Sequence, residues 1–333
     1  MIKTRIFTIS FIFFTLFLPF TLLAEDLNEI AYQNRFLLKA GTILNNEGKG
    51  DCLIYPYYDV RKVDGKKQIT EINIENFGAY GIVAKLRFRD WSRGREIFSK
   101  DIWIPSNSIW NGKIEINDDG TNAKITSSNN VISASDSGYF YLSTSLSGGA
   151  LFSTRNLRIN AGDSSLYGYV EVIGSEKTSP QNNGEKVARL SSSEQDCPNT
   201  LKGNALISRV EEGASTGYQA VAIGNFSRGQ GSLFRSNSSA SPRLDTSEDT
   251  LDQLEFQLSK WEIFGPFSSN PFNQEKTSLI VTYPTKHFHY SYEKRVAKVN
   301  NPFEASLETT GESLKTTISA GDNPPVDSSI SLP

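Results

Sequence analysis

Apolar and polar residues alternate with a period of two along two neighbouring stretches early in the chain. In 68–76, Ile72 and Ile74 are set between Glu71, Asn73 and Glu75. In 82–89, Ile82, Ala84, Leu86 and Phe88 alternate with Val83, Lys85, Arg87 and Arg89. That period belongs to strands with one dry and one wet face. The connection Phe77-Gly78-Ala79-Tyr80-Gly81 is short and punctuated by glycine, which predicts a hairpin. With its turn centred on Ala79, Ile72 would face Leu86 and Ile74 would face Ala84. Glu71 would face Arg87 and Asn73 would face Lys85. Apolar then meets apolar, and acid meets base.

Similar patterns predict strands at 52–58, 97–104, 109–116, 138–144, 167–173, 205–210, 218–226 and 278–292. Pro56 lacks a backbone N–H, so strand 52–58 is expected at a sheet edge or bent at that residue. Turn residues between the strands argue for antiparallel layers rather than βαβ units. One helix interrupts them near 247–264, where Leu251, Leu254, Leu258 and Trp261 recur at helical spacing as a core-packing stripe. Asp245, Thr246 and Ser247 offer caps, and Gly265-Pro266 ends it. The fold class expected is mainly β, an immunoglobulin-like sandwich with one inserted helix. The expected division is a lead-in at 25–39, a sandwich-like domain at 40–174 and a loop or linker at 175–200. A second β layer or domain follows at 201–302, with a disordered tail at 303–333. Pairing of 281–285 back onto the first part would make 40–302 a single domain.

The N-terminus is patterned differently. Lys3 and Arg5 precede an uncharged run from Ile6 to Ala24, and Glu25-Asp26 follow. This is the layout of a secretory signal peptide, residues 1–24, cleaved after Ala24. The length of the run and Leu22 keep a retained N-terminal anchor as the alternative. No later segment resembles a membrane span, and a secreted, periplasmic or cell-surface location is expected. The 20 Phe, 13 Tyr and single Met suit an exported β-protein rather than a helical bundle. The net charge of −3 argues against nucleic acid as a partner. Two cysteines, Cys52 and Cys197, most simply form one disulfide in an oxidising compartment.

Candidate chemistry is sparse. His287 and His289, the only histidines, would share one face of a strand and form a weak metal candidate lacking further ligands. Asn117-Asp118-Asp119-Gly120 reads as a hairpin turn rather than a calcium loop, because the spaced ligand series of an EF-hand is missing. Lys85, Arg87, Arg89, Arg93 and Arg95, with Trp91 among them, could meet a polyanion. A solvated face neutralised by Glu71, Glu75, Asp90 and Glu96 is the favoured reading. No nucleophile, base or cofactor motif is evident, and no cofactor is expected.

Several blocks together resemble a group of exported bacterial β-rich proteins of unknown function. They are LIYPYYDV (53–60), KLRFRD (85–90), REIFSKDIWIPSNSIW (95–110), GYVEVIG (168–174), the 203–226 segment and VTYPTKHF (281–288). The resemblance implies an exported, surface-associated β-protein and no particular activity. The function expected is therefore an exported, non-catalytic binding or structural protein. The partner would be a surface polysaccharide or an envelope protein. The alternatives are an adhesin-like glycan-binding module, with aromatics such as Tyr55, Tyr57, Tyr58, Trp91 or Trp110 in one patch, and an extracellular hydrolase with a carboxylate or histidine site.

Overall fold

The alternating segments pair as antiparallel strands, and in the computed structural model they form two sheets packed face to face. The structure describes residues 43–45, 47–91, 94–152, 165–190, 197–227 and 242–246, together with scattered positions between 251 and 331. The expected signal peptide, the whole lead-in at 25–39, and His287 and His289 lie outside the described residues.

The strands are β1 (Ile43–Leu44), β2 (Cys52–Asp59), β3 (Gln68–Asn76), β4 (Gly81–Asp90), β5 (Glu96–Ile104), β6 (Ser108–Ile116), β7 (Ala123–Thr126), β8 (Val131–Ser135), β9 (Tyr139–Ser143), β10 (Ala150–Leu151), β11 (Tyr167–Thr178), β12 (Lys186–Ala188), β13 (Leu201–Arg209), β14 (Ala214–Gln219) and β15 (Val221–Gly224). The large sheet has the order β1-β15-β2-β11-β4-β5-β8-β9-β12, and the small sheet β10-β7-β6-β3-β13-β14. Between them lies one core. Leu53, Tyr55, Tyr58, Leu86, Phe88 and Val172 from the large sheet meet Ile72, Ile74, Trp110, Ile114 and Ile125 from the small one. Phe152 fills the centre, 4.6 Å from Phe88 and stacked at 5.3 Å on Phe98.

The predicted hairpin does not form. β3 belongs to the small sheet, between β6 and β13, and β4 belongs to the large sheet, between β11 and β5. The Phe77–Gly81 connection is an arch that carries the chain across the sandwich. Ile72 faces Gly112 and Ala205 instead of Leu86, and Arg87 faces Ser99 and Glu171 instead of Glu71. Alternation states which face of a strand is dry but not which strand lies beside it. The local cause of the crossing is Asn76, which is almost wholly buried. Its amide donates to the carbonyls of Tyr80, Ile104 and Pro105, and its oxygen accepts from the Gly78 N–H and the Thr200 hydroxyl. One side chain thereby pins this arch to the second arch, between β5 and β6, where the Ser106 hydroxyl bonds to the Gly78 carbonyl.

The division at 174–201 is also replaced. β13 pairs along its whole length with β3, β15 pairs with β2, and all described residues fall in one unit, Thr42–Pro333. β11 runs on to Thr178, and β12 occupies part of the expected linker. The bend at Pro56 is present as a shift of register, where Gly168 faces Tyr58 and Val170 faces Tyr55. Leu251, Gln253, Leu254, Glu255 and Leu258 are helical, and Leu254 and Leu258 pack as the stripe predicts, against Cys52, Ile54, Ile173, Phe226 and Leu244. The helix ends earlier than expected, because Glu262–Pro266 is a strand. That strand pairs with Ser313–Ala320, which pairs with Phe303–Thr310, so part of the expected disordered tail has a paired backbone. The physical source is a period-two pattern in Phe303, Ala305 and Leu307 and in Leu314, Thr316 and Ile318.

Candidate functional site

The outer face of the large sheet gathers most of the charged residues singled out in the sequence. Because Leu86 and Phe88 point into the core, Lys85, Arg87 and Arg89 on β4 point outward beside Glu171 of β11. They are buried rather than solvated: Arg87 is 1% exposed and Glu171 is 0% exposed. Each cation has its own carboxylate. Lys85 Nζ lies 2.7 Å from Asp101, and Arg87 pairs with Glu96. Arg89 makes a two-pronged pair with Glu171, Nε to Oε1 at 3.0 Å and Nη2 to Oε2 at 3.2 Å. Arg95 Nε donates to Asp90 at 3.1 Å, and Arg189 pairs with Glu176 at 2.9 Å. Arg87 also donates to the Pro242 carbonyl at 2.9 and 3.1 Å, and the Tyr169 hydroxyl donates to the Pro284 carbonyl at 3.2 Å. Pro242 and Pro284 therefore lie over this layer. Burial lowers the Arg87 pKa.

Of the neutralising acids named from the sequence, Asp90 and Glu96 do pair here, whereas Glu71 and Glu75 lie on the small sheet. Asp101, Glu171 and Glu176 take their place. They were not legible as partners because each comes from a different strand or loop than the cation it serves. Arg93 lies outside the described residues. Chemically the layer is a framework that holds β4, β5 and β11 together beneath Pro242 and Pro284.

At one end of the same face an aromatic corner remains half-buried. The Tyr57 and Trp91 rings meet edge-on at 5.7 Å, and Trp91 lies 6.4 Å from Tyr167. The Arg61 guanidinium sits 4.0 Å above the Tyr167 ring and forks onto Asp59, Nη2 to Oδ2 at 2.7 Å. The Tyr57 hydroxyl donates to the same Asp59 oxygen at 2.7 Å. Burial and the Asp59 charge raise the Tyr57 pKa, so the phenol stays neutral. Of the predicted aromatic patch, Tyr57 and Trp91 do come together, while Tyr55, Tyr58 and Trp110 are core residues. Tyr167, Arg61 and Asp59 were missed. The signal for two of them was present, since 57, 59 and 61 are spaced two apart at the end of β2 and just beyond it. Tyr167 joins through strand pairing alone.

The disulfide is not formed. Cys52 and Cys197 are both buried and no bond joins them. The large sheet separates them. Cys52 faces Ile173 across the ladder and packs on the outer face with Phe226 and Leu254. Cys197 belongs to the inner core and lies against Gly174, where a Cβ would overlap its sulfur. Burial, then the charges of Asp51 and Glu171, pushes the Cys52 thiol pKa up. Asp51, fully buried nearby, accepts from the N–H groups of Phe226 and Ser227 at 2.8 and 2.7 Å and from the Ser227 hydroxyl at 2.6 Å. Burial raises its pKa to about 6 against those bonds.

Asn117-Asp118-Asp119-Gly120 is the turn of the β6–β7 hairpin. The Asn117 side chain caps the N–H groups of Thr121 and Asn122, and Gly120 has a φ of 75°. Among the described residues no group of three or more His, Cys, Asp or Glu could hold a metal ion. No described helix is long and apolar enough to cross a membrane. No protein-family model matches the chain, and no curated protein matches it.

Proposed function

We propose that this chain is an exported, non-catalytic binding protein of the periplasm or cell surface, and that the Tyr57–Trp91–Tyr167 corner contacts its partner. The observation that carries this reading is the corner itself. Three half-buried rings converge there, and Asp59 neutralises Arg61, which sits over the Tyr167 ring. Such a surface offers ring faces and edges for stacking. That chemistry suits sugar rings of a surface polysaccharide. The signal-like N-terminus and the resemblance to exported β-rich proteins support the compartment.

The charged layer supports a scaffold role over a hydrolase, because its carboxylates are engaged by arginines and lysine. The test is retention of the purified mature chain on a panel of cell-surface polysaccharides and on whole cells. Trp91→Ala is expected to weaken binding at least tenfold with an unchanged far-UV spectrum. Equal retention of Trp91→Ala and wild type, or no retention of either, would overturn the reading.

A further inference from the structure

On the opposite side of the molecule the strand register builds a line that is invisible in the sequence. Asn73 of β3 faces Asn111 of β6 on one side and Asn204 of β13 on the other, and Asn204 faces Gln219 of β14. Four side-chain amides thus cross four adjacent strands in one row. All four lie opposite the core-facing positions Ile72, Ile74, Gly112 and Ala205, on the outer face of the small sheet. Asn111 and Gln219 are exposed, and Asn73 and Asn204 are half-buried. With strands about 4.8 Å apart, the row is roughly 14 Å long.

The centre of the row is held in place. Asn73 Nδ2 donates to Asn204 Oδ1 at 2.9 Å, which orients the two central amides. Each keeps spare capacity: the Asn73 oxygen can accept, and the Asn204 NH₂ can donate twice. The Asn73 carbonyl is braced from below by the Tyr55 hydroxyl, and the Asn111 N–H by Asn129 Oδ1 at 2.9 Å. Charge on both sides of the row is balanced. Glu71 faces Lys113, Glu75 faces Lys202, and Glu115 faces Lys124. The line itself carries no charge and no apolar side chain.

We infer that this amide row is a second binding surface, for an extended, uncharged polysaccharide chain laid across the strands. Amides present a donor and an acceptor side by side, which matches vicinal hydroxyls. A neutral row with balanced flanks gives no net attraction to a polyanion. The hydrogen-bonded central pair, Asn73 and Asn204, loses little freedom on binding. This surface is independent of the aromatic corner, so each can fail alone.

The experiment is affinity electrophoresis of the mature chain through gels containing hydroxyethylcellulose, xylan, galactomannan or dextran. Retardation in at least one neutral polymer is expected. Asn111→Ala/Gln219→Ala, which touches only the two exposed ends of the row, should raise the dissociation constant at least tenfold. Trp91→Ala should leave the residual contribution of the row intact. Sedimentation of the same proteins supplies the control for self-association. The inference is overturned if the wild type is not retarded by any polymer of the panel. It is equally overturned if Asn111→Ala/Gln219→Ala is retarded like the wild type, or if that variant loses retardation only because an oligomer dissociates.

Discussion

The Tyr55 hydroxyl crosses the core from the large sheet and donates a 2.7 Å hydrogen bond to the Asn73 carbonyl of the small sheet. It fits because residue 203 is glycine. A Cβ there would overlap the Tyr55 hydroxyl and stand 3.0 Å from Ala220 Cβ. A tyrosine whose ring belongs to the core thus braces the backbone beneath the amide row.

Gly203→Ala is expected to destabilise the fold by about 1–3 kcal/mol through overpacking, and Tyr55→Phe by about 1 kcal/mol. In the double variant the clash with the hydroxyl is gone. Urea unfolding of all four proteins should therefore give less than the sum of the single losses. Strict additivity would show that the hydroxyl and the glycine are not coupled.

Asn76→Ala should cost at least about 2 kcal/mol, since it strands several buried backbone and hydroxyl groups in both arches. The check is the shift in urea midpoint at constant m-value. A change within 0.5 kcal/mol, on the order of an ordinary surface substitution, would remove Asn76 as the latch.

Glu171→Gln leaves Arg89 buried without its carboxylate and is expected to cost about 3–5 kcal/mol. Replacing both partners together, Arg89→Met with Glu171→Leu, should recover much of that loss. The reason is that desolvation of the pair offsets most of its attraction. Thermal unfolding of the two variants beside wild type decides this.

The Asp51 carboxyl gives a pH dependence of definite sign. Its pKa in the fold is about 6, above the ordinary 3.8. The native state therefore holds this proton more tightly than the unfolded chain. Its contribution is fully present below about pH 4 and is lost as pH rises through 6. The amplitude is on the order of 3 kcal/mol. Unfolding free energy measured from pH 4 to pH 7 should fall less steeply for Asp51→Asn than for wild type. Identical slopes would contradict the assignment.

The thiols of Cys52 and Cys197 should resist alkylation in the folded protein. Both should react after unfolding without reductant, adding two labels by mass spectrometry. A protein that takes up no label until reduced would contain the bond that the sheet is inferred to prevent.

Alternation along the chain was enough to locate the central strands and their dry faces. Ile72 and Ile74, and Ile82, Ala84, Leu86 and Phe88, point inward as alternation requires, and the Asn117–Gly120 turn closes its hairpin as read. The sequence also contained the stripe of Leu254 and Leu258 that packs on the large sheet. Which strands are neighbours depends on contacts between distant parts of the chain. The short connection after Asn76 is compatible with a hairpin or an arch, and the choice rests on long-range bonds to Ile104, Pro105 and Thr200. That choice moved Arg87 and Glu71 onto different sheets and the two cysteines onto opposite faces of one. It also aligned Asn73, Asn111, Asn204 and Gln219. A period of two is a local property of a strand, whereas register and sheet membership are set by packing between residues far apart in the chain.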